Sequence, residues 1–210
     1  MRILTVPLLG LMLALDPFSA RSESTLGVDD LPAGLSFEGE LIDARRWKDG
    51  QGLNHVLLTR TADRRDPELN EYSVETYSAR LYTYHYLQQG DKHRLLRRIT
   101  DFVEACDMDM SVAHVPGSLA ITDLDGNGLY EVTFLYELAC RSDVSPLTLK
   151  LMMLDNGEKY PIRGTNLVDV GSGQQYGGEK HFGAAFDDAP ASFRRFADQH
   201  WDRFVDSTRR

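Results

Sequence analysis

From Leu35 the chain alternates, with Leu35, Phe37, Gly39 and Leu41 interleaved by Ser36, Glu38 and Glu40. That period of two predicts a half-buried strand. Trp47-Lys48-Asp49-Gly50-Gln51-Gly52 reads as a turn, Asn54 to Thr61 as the returning strand, and Asp63-Arg64-Arg65-Asp66-Pro67 as a solvated charged loop. Tyr77 to Gln88 is rich in strand formers and places Tyr82, Tyr84 and Tyr86 on one face. Such a row reads as a half-buried sheet face in preference to a ligand-stacking surface. Gln89-Gly90-Asp91-Lys92 supplies a hairpin turn before His93. Residues 94–106 fit two patterns, because Leu95, Ile99, Phe102, Val103 and Cys106 also form a helical stripe. The reading taken is a strand through about Asp101.

Strand signals continue from Leu119 to Arg163. Val132, Phe134, Tyr136 and Leu138 share one face, and Leu147, Leu149, Leu151 and Met153 share another. Asp155-Asn156-Gly157 separates Leu147–Leu154 from Lys159–Arg163, and Asn-Gly favours the left-handed backbone of a tight hairpin. Asp155 is assigned to that plain turn. The glycines of Gly171-Ser172-Gly173 and Gly177-Gly178 mark a long loop; no Gly-Lys-Ser/Thr follows to make them a phosphate cradle. After Asp188 and Pro190, the residues Phe193, Phe196, Ala197, Trp201, Phe204 and Val205 recur at helical spacing, with Arg209 and Arg210 near the negative end of the helix dipole. The expected architecture is mainly β: a single antiparallel domain over residues 35–210, closed by an amphipathic C-terminal helix over about 190–208.

The N terminus carries a different pattern. Arg2 precedes an apolar run from Ile3 to Leu15, which Asp16-Pro17 ends. One positive charge before a run too short to span a bilayer is the layout of a signal peptide. Ala20 and Ser22 suit cleavage after Ser22, with cleavage after Ala20 as the alternative, so residues 1–22 are expected to be removed. Residues 23–34, rich in Ser, Gly, Asp and Pro, then form a flexible leader. No integral membrane segment is expected after cleavage, and the location is periplasmic or secreted.

At 210 residues with 23 basic and 32 acidic side chains, the chain has a formal charge of −9. Such a balance disfavours nucleic acid and anionic lipid as partners and makes cations the expected charged ones. Cys106 and Cys140 are the only cysteines. In an oxidising compartment an even pair is expected to form a disulfide, and their wide spacing excludes a Cys-x-x-Cys redox motif.

The stretch Asp123-Leu124-Asp125-Gly126-Asn127-Gly128-Leu129-Tyr130-Glu131 carries the clearest chemistry. It matches the first half of a calcium loop, with side-chain oxygens from Asp123, Asp125 and Asn127, a carbonyl from Leu129, and Glu131 at the ninth position binding directly or through water. Hard oxygen ligands without His or Cys point to Ca²⁺ over zinc. The twelfth position is Phe134, where an EF-hand has a bidentate Glu, and the residues around it alternate as a strand. A strand-loop-strand cation turn is therefore expected, and it resembles the loops of FG-GAP repeats. A single such loop does not make a propeller. There is no Gly-x-Ser-x-Gly and no His-Glu-x-x-His, the six histidines are isolated from one another, and nothing adjacent in sequence supplies a base for Ser145.

Ile121 to Glu131, Tyr136, Cys140-Arg141-Ser142-Asp143-Val144-Ser145-Pro146, Lys159-Tyr160 and Arg163-Gly164 together resemble a family of bacterial envelope proteins labelled as surface polysaccharide biosynthesis proteins. The resemblance covers roughly residues 77–165. It implies export and a connection with surface glycans, and it transfers no catalytic residue. The expected role is a calcium-stabilised binding or accessory module whose partner is an envelope glycan or a periplasmic protein. A glycan-active hydrolase and a periplasmic inhibitor are the alternatives.

Overall fold

The structure is a computed structural model and describes residues 23–206. The expected signal peptide, residues 1–22, and the terminal Arg209 and Arg210 lie outside the described residues. The fold is mainly β with antiparallel sheets and one C-terminal helix, as the periodicities require.

The first sheet contains β1 (Ser24–Thr25), β2 (Glu40–Lys48), β3 (Leu53–Arg60), β4 (Arg64–Arg65), β5 (Tyr77–Gln89) and β6 (Lys92–Cys106). The second contains β7 (Asp109–His114), β8 (Ala120–Thr122), β9 (Glu131–Arg141), β10 (Thr148–Asp155) and β11 (Glu158–Thr165). A small hairpin, β12 (Leu167–Asp169) with β13 (Gln175–Gly177), follows, and β14 (Lys180–Phe182) returns to pair with β11. The helix, α1, runs Ala191–Phe204.

Three apolar layers hold these elements. Trp47, Val56, Leu81 and Ile99 of the first sheet meet Val132, Phe134, Tyr136 and Met152 of the second in the central layer. The opposite face of the second sheet, with Leu135, Leu149, Leu151 and Met153, packs against Phe193, Ala197 and Trp201 of α1. The two faces read from the sequence of β9 and β10 are thus the inner and helix-covered sides of one sheet.

Residues 94–106 are strand throughout, paired along β5 from Gln89↔Lys92 to Tyr77↔Cys106. The helical stripe is incidental: Ile99 and Cys106 are buried, whereas Leu95 and Phe102 are 44% and 47% exposed, so that stripe faces no common core. Asn156 and Gly157 turn the β10–β11 hairpin with φ of 43° and 88°, the left-handed pair that Asn-Gly predicts.

Three readings need correction. The strand read from Leu35 is β2, and it begins at Glu40. Leu35, Phe37 and Leu41 alternate because they insert into the outer face of the first sheet, beside Tyr82, Tyr84 and Tyr86. The leader is not free either, since β1 pairs with β2, Leu26 is buried and Leu31 joins the same apolar layer. The expected plain loop marked by Gly171-Ser172-Gly173 and Gly177-Gly178 is shaped by the β12–β13 hairpin.

The tyrosine row is buried under residues 35–38 and fastened to them. Tyr84 Oη accepts the Glu38 N–H at 3.1 Å, Tyr86 Oη donates to the Ser36 carbonyl, and Tyr82 Oη donates to Glu38 Oε2 at 3.1 Å. Tyr84→Phe leaves the Glu38 N–H without that acceptor and is expected to cost about 1 kcal/mol. A lower urea midpoint with unchanged slope would show it; an unchanged midpoint would mean that water replaces the hydroxyl at no cost.

Candidate metal centre

The Asp-rich loop connects β8 to β9, so a ladder fixes both its ends, with Thr122 paired to Glu131. Leu124 is buried in the helix-side layer and anchors the first turn. Gly128, at φ of 80°, makes the reversal that returns the chain to the sheet. The Gly50 N–H donates to the Gly128 carbonyl at 2.9 Å, which ties the loop to the β2–β3 turn.

The structure brings Asp123, Asp125 and Glu131 together: one oxygen from each lies within 4.8 Å of the others. Asp123 Oδ2 accepts the Gly128 N–H at 3.2 Å, and Asp125 Oδ1 accepts the Asn127 N–H at 3.1 Å. The Asn127 amide donates to Asp125 Oδ2 at 2.9 Å while its oxygen accepts the Leu129 N–H at 2.7 Å. Asn127 therefore sits among the acids as expected, with one lone pair of its oxygen already engaged. Leu129 occupies its expected loop position and is half-buried.

Glu131 differs from an exposed loop acid. It has no exposed surface, and its Oε2 accepts the Leu124 N–H at 2.9 Å and the Thr122 hydroxyl at 3.3 Å. Its Oε1 is buried without a partner, as is Asp123 Oδ1. Burial, helped by the negative charges of Asp125 and Asp155, pushes the Glu131 carboxyl up to about 8 against the two backbone N–H groups that favour its ionised form. Unpartnered buried oxygens are costly unless something pairs with them. A hard divalent cation at the loop fits both orphaned oxygens and the oxygen-only donor set.

Asp155 belongs to this environment and not to an indifferent turn. Leu154 pairs with Val132, so the next residue of β10 lies across the ladder from Glu131. Burial raises the Asp155 carboxyl, and the charges of Asp125 and Glu158 raise it further. Sequence offers no sign of this, because the proximity is created by strand register over more than twenty positions.

Cys106 and Cys140 form a disulfide with Cα atoms 5.6 Å apart. Ser145 donates its hydroxyl to Asp143 Oδ1 at 2.5 Å. Three of the buried histidines have structural bonds: His85 with Asn54 Oδ1 at 3.0 Å, His114 with the Tyr82 carbonyl at 3.3 Å, and His200 with the Ser118 carbonyl at 2.7 Å. Two clefts went unread in the sequence. One, of about 770 Å³, has Glu137, Arg141, Asp143 and Arg203 on its walls. The other, of about 320 Å³, lies beside β6 and the β10–β11 hairpin. Compared with known protein families, curated proteins and solved structures, the chain matches none of them.

Proposed function

We propose that this chain is an exported, calcium-stabilised binding module of the cell envelope, with a surface glycan as its partner. The observation that carries the calcium reading is Glu131 Oε1, fully buried and unpartnered beside Asp123 and Asp125. Asp123, Asp125 and Glu131 would hold the ion through carboxylate oxygens, with Asn127 and the Leu129 carbonyl completing the loop's contribution. The ion would neutralise the loop's acids and lock the β8–β9 connection. The disulfide supports an oxidising location, where such bonds persist. The glycan partner rests on the family resemblance over residues 77–165. Binding is favoured over cleavage because the Ser145 hydroxyl is engaged by Asp143 and His85, His114 and His200 serve structural bonds.

Thermal melting with and without calcium tests the site. With no twelfth-position Glu, affinity falls in the extracellular range of about 10⁻⁴–10⁻³ M. Calcium at one hundred times the dissociation constant then adds about 2.7 kcal/mol, or roughly 5–10 °C. Asp125→Ala should abolish the rise, whereas Asp91→Asn, in the β5–β6 turn outside the group of acids, should retain it. A full calcium response in Asp125→Ala would reduce the loop to an ordinary turn. Release of sugar fragments from envelope polysaccharide would replace the binding reading with a hydrolase.

A further inference from the structure

The chain as a whole is acidic, with a formal charge of −9, but the smaller cleft reverses that sign locally. Arg98, Lys150, Lys159 and Arg163 line it against one carboxylate, Asp101. Asp101 is already committed: Oδ2 accepts from Tyr136 Oη at 2.9 Å and from Lys150 Nζ, and Oδ1 accepts the Phe102 N–H at 3.1 Å. Arg98 is likewise paired with Glu38 at 2.8 Å and lies over the Tyr82 ring. Lys159 and Arg163 are exposed and form no ion pair among the described residues. The register sharpens the imbalance, because Arg163 stands directly opposite Lys150 on one side and His181 on the other. Like charges facing each other across a ladder destabilise a sheet; Asp101 offsets Lys150 and Glu38 offsets Arg98, which leaves Lys159 and Arg163 as the surplus.

We propose that this cleft binds the carboxylate of an acidic sugar residue, an inference that rests on the glycan-binding reading above and names the class of glycan. The Arg163 guanidinium has the planar fork that matches a carboxylate, and Lys159 adds a second positive charge. Ile99 and Met152, buried in the central layer, close the floor of the cleft and leave its open side to the exposed Lys159 and Arg163. A volume of about 320 Å³ is at the small end for ligand sites, so it accommodates one residue of a glycan and leaves the rest of the chain outside.

Calorimetric titration with a galacturonate trimer, and with maltotriose as the neutral counterpart, tests this. The trimer is expected to bind, to weaken as salt is raised, and to lose about ten-fold or more in affinity in the Lys159→Ala, Arg163→Ala double variant. Arg203→Ala, in the larger cleft, should bind like the parent protein. A melting temperature within a few degrees of the parent shows that the double variant is folded. Equal trimer binding by the parent and the double variant overturns the cleft assignment. Binding of maltotriose alone, unchanged in the double variant, also overturns it while leaving glycan binding intact. Binding of neither sugar overturns the acidic-sugar inference and removes support from the glycan reading, with the calcium response still tested separately by Asp125→Ala.

Discussion

Lowering the pH from 7 to 5 is expected to cost the fold on the order of 3 kcal/mol, through histidines that folding holds neutral. Burial is the leading cause in each case: it lowers His55 and His114 to about 4 and His85 to about 3. The charges of His93 and Arg46 reinforce the shift at His55, and that of His55 reinforces it at His85. Backbone hydrogen bonds at His114 oppose it without cancelling it. Because these pKa values are depressed, the stabilisation is complete above the unfolded value near 6.5 and is lost as pH falls from there towards 4 and 3. Each histidine costs about 1.4 kcal/mol per pH unit across the steep part of that window. Glu131 works in the opposite direction in the calcium-free protein: its raised carboxyl holds a proton that the unfolded chain releases, so acidification favours the fold. Burial also raises Asp155 and Glu23, which act in the same direction as Glu131, and lowers His200, which adds to the other three histidines; the large histidine shifts set the net sign. Urea midpoints measured without calcium at pH 7, 6 and 5 should fall, most steeply below 6.5. His85→Gln should flatten the profile, and a midpoint that rises on acidification would contradict the balance.

The contrast between net and local charge bears on what the protein meets. From the composition alone, a cation is the natural partner, and the β8–β9 loop brings together three acids that could hold one. The cleft beside β6 has the opposite preference, although the chain contains more acids than bases. Both sites use the β10–β11 hairpin. Asp155 stands near the loop acids, while Lys150 and Arg163 line the cleft further along the same two strands. Lys159, paired with Leu154 one position from Asp155, brings the cleft up to the turn, so the proposed ion and the proposed anionic ligand share one hairpin.

What was legible in the sequence is what local spacing determines. The acids that the fold brings together at the β8–β9 loop lie within nine consecutive residues, and the Asn156-Gly157 turn and the stripe of α1 also depend only on near neighbours. Alternation alone did not distinguish a ladder from a segment lying on a sheet face. Leu35 and Phe37 have the burial rhythm of a strand because the tyrosine face below them does. The role of Asp155, the cationic cleft and the fastening of residues 35–38 all arise from pairing across strands or between layers. For Arg163 the informative neighbours are Lys150 and His181, and sequence places neither beside it.

Reducing the disulfide is expected to have the largest single effect, about 4 kcal/mol, because the bridge spans 34 positions and a loop of that length gains much entropy when freed in the unfolded chain. Its position makes the closed loop consequential: Cys106 ends β6 in the first sheet and Cys140 lies near the end of β9 in the second. The bridge thus staples the two halves of the central layer and encloses β7, β8, the acidic loop and most of β9. A loss of this size is a large part of the roughly 5–15 kcal/mol available to a typical domain. It corresponds to a fall in melting temperature of about 8–16 °C. The Cys106→Ser, Cys140→Ser double variant should show that fall while keeping a native-like circular dichroism spectrum at 20 °C, since the entropy is gained in the unfolded state. Equal melting temperatures for the oxidised protein and the double variant would mean that the packed sheets alone restrain the loop.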